Sequence, residues 1–363
     1  MLSVEDSVWM AQALHLAERG LYSTSPNPRV GCVLVKEEKS IGEDWHERAG
    51  DAHAEVHALR SAGEKARGAT AYVTLEPCSH HGRTPPCADA LIAAGVARVV
   101  VAMQDPNPQV AGQGLARLRN AGIAVECGLM ETSARALNAG FVSRMSRGVP
   151  FVRSKIAMSL DGRTALSNGA SQWITGAEAR RDGHHWRARS CAVLTGIGTV
   201  LADDAQLTVR EVDTTRQPLR VVLDSKLCIV ETARILQSGN VLIYTANRDT
   251  QKISLLEKMG VKIVVLPSEN AQVNLLACLK DLAVRGCNEI LVEAGRTLNG
   301  ALLQAGLIDE LILYMAPQLL GDMARGMAQL GELTSLDQKI KLEWQDVRQV
   351  GRDLRIIAHV KKG

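Results

Sequence analysis

Three side chains of this chain have the types and spacing of a metal site. His53 stands in Ala52-His53-Ala54-Glu55, and two cysteines follow in Glu76-Pro77-Cys78 and Pro86-Cys87. One imidazole and two thiolates are three protein ligands for Zn²⁺, which leaves the fourth tetrahedral position to water. Metal binding brings the pKa of such a water to about 7. Glu55 lies beside the ligand His53 without being needed as a ligand, which suits a carboxyl group that moves protons. The competing readings are a structural zinc, which would need a fourth protein ligand, and plain core packing of two thiols. His80 and His81, between the cysteines, read as pocket or rim residues.

Other segments could touch a small molecule. Ser25-Pro-Asn-Pro-Arg-Val-Gly31 offers the Asn27 amide to a heterocycle edge, although Asn also favours such a turn for local reasons. Asp105 to Gly114 has a similar composition and reads as a rim loop. In the second half, Leu194 to Asp204 and Val292 to Ala301 each place glycines where a strand turns into a helix. Backbone N–H groups there bind phosphate, though a plain helix cap uses the same residues. Arg187 and Arg210 carry guanidinium forks suited to a sugar phosphate, the competing reading for each being a solvated surface charge. Glu293, at the end of a strand, could accept from a ring N–H or a hydroxyl.

The elements that must position these groups follow from periodicity. Ser3 and Asp6 resemble a capping box, and Val8, Trp9, Ala13, Leu14, Leu16 and Ala17 repeat at helical spacing. Strands are expected at 30–35, 69–75, 98–103 and 123–127, with helices at 53–62, 88–94 and 114–120. Short alternation of this kind predicts an α/β layered domain with parallel strands. Gly148-Val-Pro150 breaks a helix ending at Arg147. The boundary is therefore expected there, with domains at 1–147 and 148–363. The second domain reads as an open, mostly parallel sheet with strands at 151–158, 191–195, 220–223, 241–245, 262–266, 289–293 and 311–314. Two alternating runs around Gly351 close it as an antiparallel hairpin.

Composition narrows the function. The 363 residues suffice for two cores, and a net charge of +3 with 3% aromatics gives no basic, aromatic-rich groove for nucleic acid. Apolar runs long enough for a membrane span are absent from the sequence, and Met1 to Asp6 lacks the profile of a signal peptide. Eight scattered cysteines then read as free thiols in a cytoplasmic protein.

The His53-Ala-Glu55 and Pro77-Cys78 motifs resemble the zinc-dependent cytidine-deaminase superfamily, whose cysteines are usually two residues apart. Here eight residues separate them, and Glu76 to Cys87 looks like the riboflavin-biosynthesis deaminase branch. Ser159-Leu-Asp-Gly-Arg-Thr-Ala165 and Ser171-Gln-Trp-Ile-Thr-Gly176, with the two glycine loops, are similar to the reductase domain of the bifunctional riboflavin-biosynthesis deaminase/reductase family. The likeness runs over nearly the whole chain. It implies a cytidine-deaminase-like three-layer domain followed by a dihydrofolate-reductase-like domain.

The resemblance also implies the chemistry and its residues. The substrate would be 2,5-diamino-6-(5-phosphoribosylamino)pyrimidin-4-one. Zinc-assisted hydrolytic deamination would come first, with His53, Cys78 and Cys87 as ligands and Glu55 as acid and base. NADPH would then reduce the ribosyl chain to give 5-amino-6-(5-phosphoribitylamino)uracil. Cofactor contacts would be Ala157, Trp173, Thr199, Asp203, Ser225 and the run Gly295, Arg296, Thr297, Leu298, Asn299, Gly300 and Ala301. Substrate contacts would be Ser171, Arg187, Leu207, Arg210 and Glu293, with Asn27, His46 and Lys155 also at family positions. Asp44 replaces an expected Gly and Ala205 an expected Pro. A homo-oligomer is expected, with neither a nucleic acid nor a membrane as partner.

Overall fold

In the computed structural model, which describes residues 2–79, 86–108, 110–237 and 239–361, the chain divides into two compact units, Met1–Gly148 and Val149–Gly363. In the first unit, Ser3 starts helix α1 (Val4–Glu18) through a reciprocal capping box with Asp6. Met10, Ala13, Leu14 and Ala17 bury one face of that helix. The strands are β1 (Gly31–Lys36), β2 (Lys39–Trp45), β3 (Thr70–Val73), β4 (Arg98–Val101) and β5 (Ala124–Cys127). They lie in the order β2-β1-β3-β4-β5.

The sheet is mixed, which corrects the expectation of parallel strands. β1 runs antiparallel to both β2 and β3, and only β3, β4 and β5 are parallel. The hairpin between β1 and β2 turns on Glu37 and Glu38, both at positive φ (51° and 59°). Two-residue hairpins need that backbone, but Asn-Gly is their usual marker and two glutamates give no such sign. β2 is a half-exposed edge, so it lacks an apolar run as well.

Helices α2 (Ala54–Ala62), α3 (Cys87–Ala94) and α4 (Gln113–Asn120) follow, then α5 (Glu131–Leu137) and α6 (Ala139–Arg147). Two glycines set how closely helices lie on the hairpin. A Cβ at Gly31 would fall 2.0 Å from the Ala13 carbonyl oxygen of α1, and one at Gly42 would fall 2.4 Å from that of Ala58 in α2. Gly42 pairs with Leu34, one face away from Gly31, so α1 and α2 cover opposite faces of the sheet.

The second unit is built on nine strands. They are β6 (Phe151–Ser159), β8 (Ala192–Gly196), β9 (Leu219–Leu223), β10 (Val241–Thr245), β11 (Lys262–Val265), β12 (Glu289–Val292), β13 (Glu310–Ala316), β15 (Leu342–Val350) and β16 (Asp353–Val360). Their order is β11-β10-β9-β8-β12-β6-β13-β16-β15. All pairs are parallel up to β13, and β16 and β15 add the antiparallel edge through the turn at Gly351. β7 (Arg163–Ala165) and β14 (Arg325–Gly326) form a separate short ribbon with no marker in the sequence pattern. Helices α7 (Ala177–Arg189), α8 (Ile197–Asp203), α9 (Thr250–Lys258), α10 (Leu275–Val284) and α11 (Arg296–Gln304) connect the strands. Near the centre of the sheet, buried Arg153 is held between the Glu289 and Glu310 carboxylates at 2.7 and 2.6 Å. No helix among the described residues is long and apolar enough to cross a membrane.

Candidate active sites

In the first unit the metal-type residues come from three elements. His53 is the N-cap residue of α2, which puts Glu55 in the first turn of that helix. Cys78 follows β3 through Glu76 and Pro77, and Cys87 is the first residue of α3. His53 Nδ1 lies 3.2 Å from Cys87 Sγ and 3.6 Å from Cys78 Sγ, and the three ligand atoms all fall within 4.8 Å of one another. The Cys87 backbone N–H donates to Cys78 Sγ at 3.3 Å. That donor, the Cys87 thiol and His53 together hold the Cys78 thiol well below its ordinary range. No fourth metal-type side chain joins the group among the described residues. His80 and His81 lie outside the described residues.

Glu55 is buried, and its Oε2 has no hydrogen-bond partner. Burial pushes its carboxyl group above the usual range. A buried polar atom without a partner is unusual. Here it belongs to the residue that stands next to a three-donor cluster. The donors, their closeness and this orphaned oxygen fit a zinc ion with an open position.

Asn27 and His46 are brought to the same place. His46 is buried, and its ring meets the His53 ring edge-on with centroids 5.2 Å apart. His46 Nδ1 is 3.1 Å from the Ala52 carbonyl, which makes Nδ1 the donor and Nε2 an acceptor. The Asn27 amide nitrogen donates to that Nε2 at 3.0 Å. Burial lowers the His46 pKa, in keeping with a neutral ring. Asp44, which stands in place of the expected Gly, lies in β2 opposite Cys32.

In the second unit a cavity of about 1500 Å³ opens at the carboxyl ends of β6, β8, β9 and β12. It is lined by Ala157, Ser171, Trp173, Thr199, Asp203, Leu207, Ser225, Gly295, Arg296, Thr297, Leu298 and Ala301, with Lys155, Arg187, Arg210 and Glu293. Ligand sites at such strand ends are the rule in open α/β sheets. Gly295 is the N-cap residue of α11 and offers no side-chain cap, so first-turn N–H groups are left for a ligand. Ala205 also lines the cavity, next to Asp204 at φ +43°.

Two residues of the glycine loop do not face the cavity. Asn299 is buried, with Oδ1 accepting from the Ser154 hydroxyl and Nδ2 donating to the carbonyls of Ala294 and Met327. Gly300 packs on the Gln329 backbone, where a Cβ would meet the carbonyl oxygen at 2.1 Å. Both hold α11 in place, and neither is part of the cavity lining.

Arg187 lines the cavity and also has a task within the protein. Its guanidinium donates to Glu293 (Nε to Oε1 2.5 Å, Nη2 to Oε2 3.0 Å) and to the Thr208 carbonyl (3.0 Å). Arg210 is the freer cation, bonded through Nη1 to the Thr208 hydroxyl. Burial would raise the Glu293 pKa, but the Arg187 charge and hydrogen bonds, with Lys155 at 3.9 Å, bring it to about 2. Burial lowers the Lys155 pKa.

His184 escaped sequence reading. It lines the cavity, and its Nδ1 accepts the Arg210 backbone N–H at 3.1 Å. Burial, and then the charges of Arg187 and Arg210, push it down to about 4. Its only sequence signal was a place on α7 three residues before Arg187, on the same helix face.

The "RibD C-terminal domain" family profile matches residues 150–356, and the "cytidine and deoxycytidylate deaminase zinc-binding region" profile matches residues 3–103. The riboflavin biosynthesis protein RibD of Escherichia coli (strain K12) is 52% identical, covering 97% of this chain and 98% of its own length. The chain belongs to the RibD family. Acinetobacter baumannii RibD has a solved structure with a TM-score of 0.91 and 49% identity, covering 99% of each chain. A deaminase/reductase structure from Thermotoga maritima, named for diaminohydroxyphosphoribosylaminopyrimidine and 5-amino-6-(5-phosphoribosylamino)uracil, reaches a TM-score of 0.87 at 33% identity. It covers 98% of this chain and 99% of its own. This member of the RibD family therefore carries both a zinc-type deaminase unit and a reductase unit.

Proposed function

We propose that residues 1–147 deaminate 2,5-diamino-6-(5-phosphoribosylamino)pyrimidin-4-one and that residues 148–363 then reduce its ribosyl chain. The observation that carries the first step is the unpartnered Glu55 Oε2 beside His53, Cys78 and Cys87. When bound there, zinc would supply a Lewis acid that makes water reactive near neutral pH. Glu55 takes a proton from a water molecule as its oxygen adds to the amine-bearing ring carbon, and passes that proton to a ring nitrogen. It then moves the remaining hydroxyl proton to the amine, so that the carbon–nitrogen bond breaks, ammonia departs and a carbonyl remains. One carboxyl serves as base and then as acid. Asn27, held by His46, presents its amide to the pyrimidine edge.

In the second step NADPH would supply the hydride to C1 of the ring-opened ribose. Trp173, Thr199, Asp203, Ser225 and the turn of Gly295 to Leu298 would hold the cofactor. Arg210 would take the substrate phosphate, and Ser171 and Leu207 would complete the wall. Glu293, kept ionised by Arg187 and Lys155, would accept from the substrate's donors. The protein's share is to place two ligands and exclude water. We further infer a cytoplasmic, homo-oligomeric enzyme without a nucleic-acid partner, in keeping with eight free cysteines and a net charge of +3.

The test is to incubate the purified protein with the diamino-pyrimidinone phosphate, with and without NADPH. Ammonia release in both mixtures, and NADPH oxidation only in the second, is the expected result. NADPH consumption without ammonia would overturn the order of steps, and neither signal would overturn the substrate.

A further inference from the structure

A carboxylate that the deamination does not use stands two residues before Cys78. Glu76 is 5% exposed, and its oxygens accept four backbone N–H groups. Oε2 takes Asp105 at 3.0 Å and Gly112 at 2.9 Å, and Oε1 takes Gly114 at 2.8 Å and Leu115 at 3.4 Å. Gly114 and Leu115 are in the first turn of α4, where peptide dipoles favour a negative charge. The helix has Gly112 at its N-cap and no side-chain cap of its own, so Glu76 does that work from a distance. The approach is close, since a Cβ at Gly114 would lie 2.0 Å from the Pro77 carbonyl oxygen.

From the body of α4, Arg117 reaches both cysteine segments. Its guanidinium donates to the Ser79 carbonyl at 3.3 Å, next to Cys78. It also forms an ion pair of 2.5 Å with Asp89, two residues past Cys87 on α3. Helix α4 is thus tied to Cys78 through Glu76 and Arg117, and to Cys87 through Arg117 and Asp89.

The spacing of the cysteines says why such a tie is needed. When two residues separate a pair of ligands, the chain itself keeps the sulfurs close. Eight residues separate Cys78 and Cys87, so sequence spacing alone does not hold the sulfurs together. The Cys87 N–H on Cys78 Sγ and the Ala88 N–H on the Cys78 carbonyl tie the two segments directly, and α4 grips both from outside. We propose that Glu76 is a positioning residue, and that α4 is a brace which sets the separation of the two sulfurs and so the retention of the metal. This rests on the zinc reading of His53, Cys78 and Cys87.

The test uses the full-length zinc protein and its cobalt-substituted form. Release of zinc to excess chelator and the thiolate-to-cobalt absorption band are read for wild type, Glu76→Gln and Arg117→Met. Groups that orient metal ligands are worth at least about ten-fold in metal affinity, so Glu76→Gln should release zinc about ten-fold faster with an altered cobalt band. Arg117→Met, at a partly exposed ion pair, should release it several-fold faster with hydride transfer on pre-deaminated substrate unchanged. Wild-type release rates and spectra in Arg117→Met overturn the brace, whether or not Glu76→Gln folds. A wild-type protein that binds no zinc sinks the metal reading itself, and the brace falls with it.

Discussion

Arg187 and Glu293 meet in the wall of the reductase cavity as a two-pronged pair, Nη2 to Oε2 at 3.0 Å and Nε to Oε1 at 2.5 Å. Both are largely buried, with side-chain exposures of 14% and 13%. The pair bears on the charge of the cavity wall, because the guanidinium keeps a buried carboxylate ionised.

Arg187→Ala should therefore destabilise the second unit at neutral pH. Removing one partner of a buried pair costs roughly 3–5 kcal/mol, since the other charge is left behind. Chemical denaturation followed in the second unit measures it, and a loss under about 1 kcal/mol would mean that the pair is solvated in solution. The pH dependence has a definite sign. Glu293 titrates at about 2 in the folded chain, below its ordinary value of about 4.3. Its contribution is complete above the ordinary value and is lost as pH falls through the folded one. The stability of the second unit should thus fall steadily from about pH 4 toward pH 2.

Glu55→Gln keeps the volume of the side chain and removes its proton chemistry. Ammonia release should fall by about 10²- to 10⁴-fold, the usual share of a general acid–base. Hydride transfer to pre-deaminated substrate should be unchanged, because the described residues that line that cavity belong to the second unit. A variant that still deaminates at the wild-type rate would remove Glu55 from the mechanism.

Gly42→Ala tests the seat of α2. The added methyl would press on the Ala58 carbonyl oxygen at 2.4 Å and the Ala62 nitrogen at 2.9 Å. Overpacking of this kind costs about 1–3 kcal/mol, and the helix that moves is the one carrying His53 and Glu55. Deamination and zinc content should drop while reduction persists. Loss of both activities together would show that the strain is not local.

Trp173 is 66% exposed for so large an apolar side chain, with the Arg180 guanidinium 4.5 Å from its ring centre. An aromatic face held at the cavity wall suits a nicotinamide or an adenine. Trp173→Ala should weaken NADPH binding by about 1 kcal/mol, several-fold in Kd. Titration by cofactor fluorescence reads this without turnover, and an unchanged Kd would leave the ring outside the binding surface.

Much of this protein can be read from its residues in order. The capping box at Ser3, the helix that starts at His53, the strands of the second unit and the hairpin at Gly351 are local patterns, and local periodicity reports them. The three metal-type residues and Glu55 were legible because imidazole, thiolate and carboxylate at those spacings have few other uses. Folding alone decided which charges meet. Arg187 and Glu293 are 106 positions apart, and nothing local says that the guanidinium pairs with that carboxylate. The same holds for Asn299, turned from the cavity to the Ser154 hydroxyl, for the β1–β2 hairpin built on two glutamates, and for the four amides gathered by Glu76. Each depends on which surfaces are pressed together, and that is a property of packing between distant segments, where a side chain's chemistry sets what it can do and its neighbours set what it does.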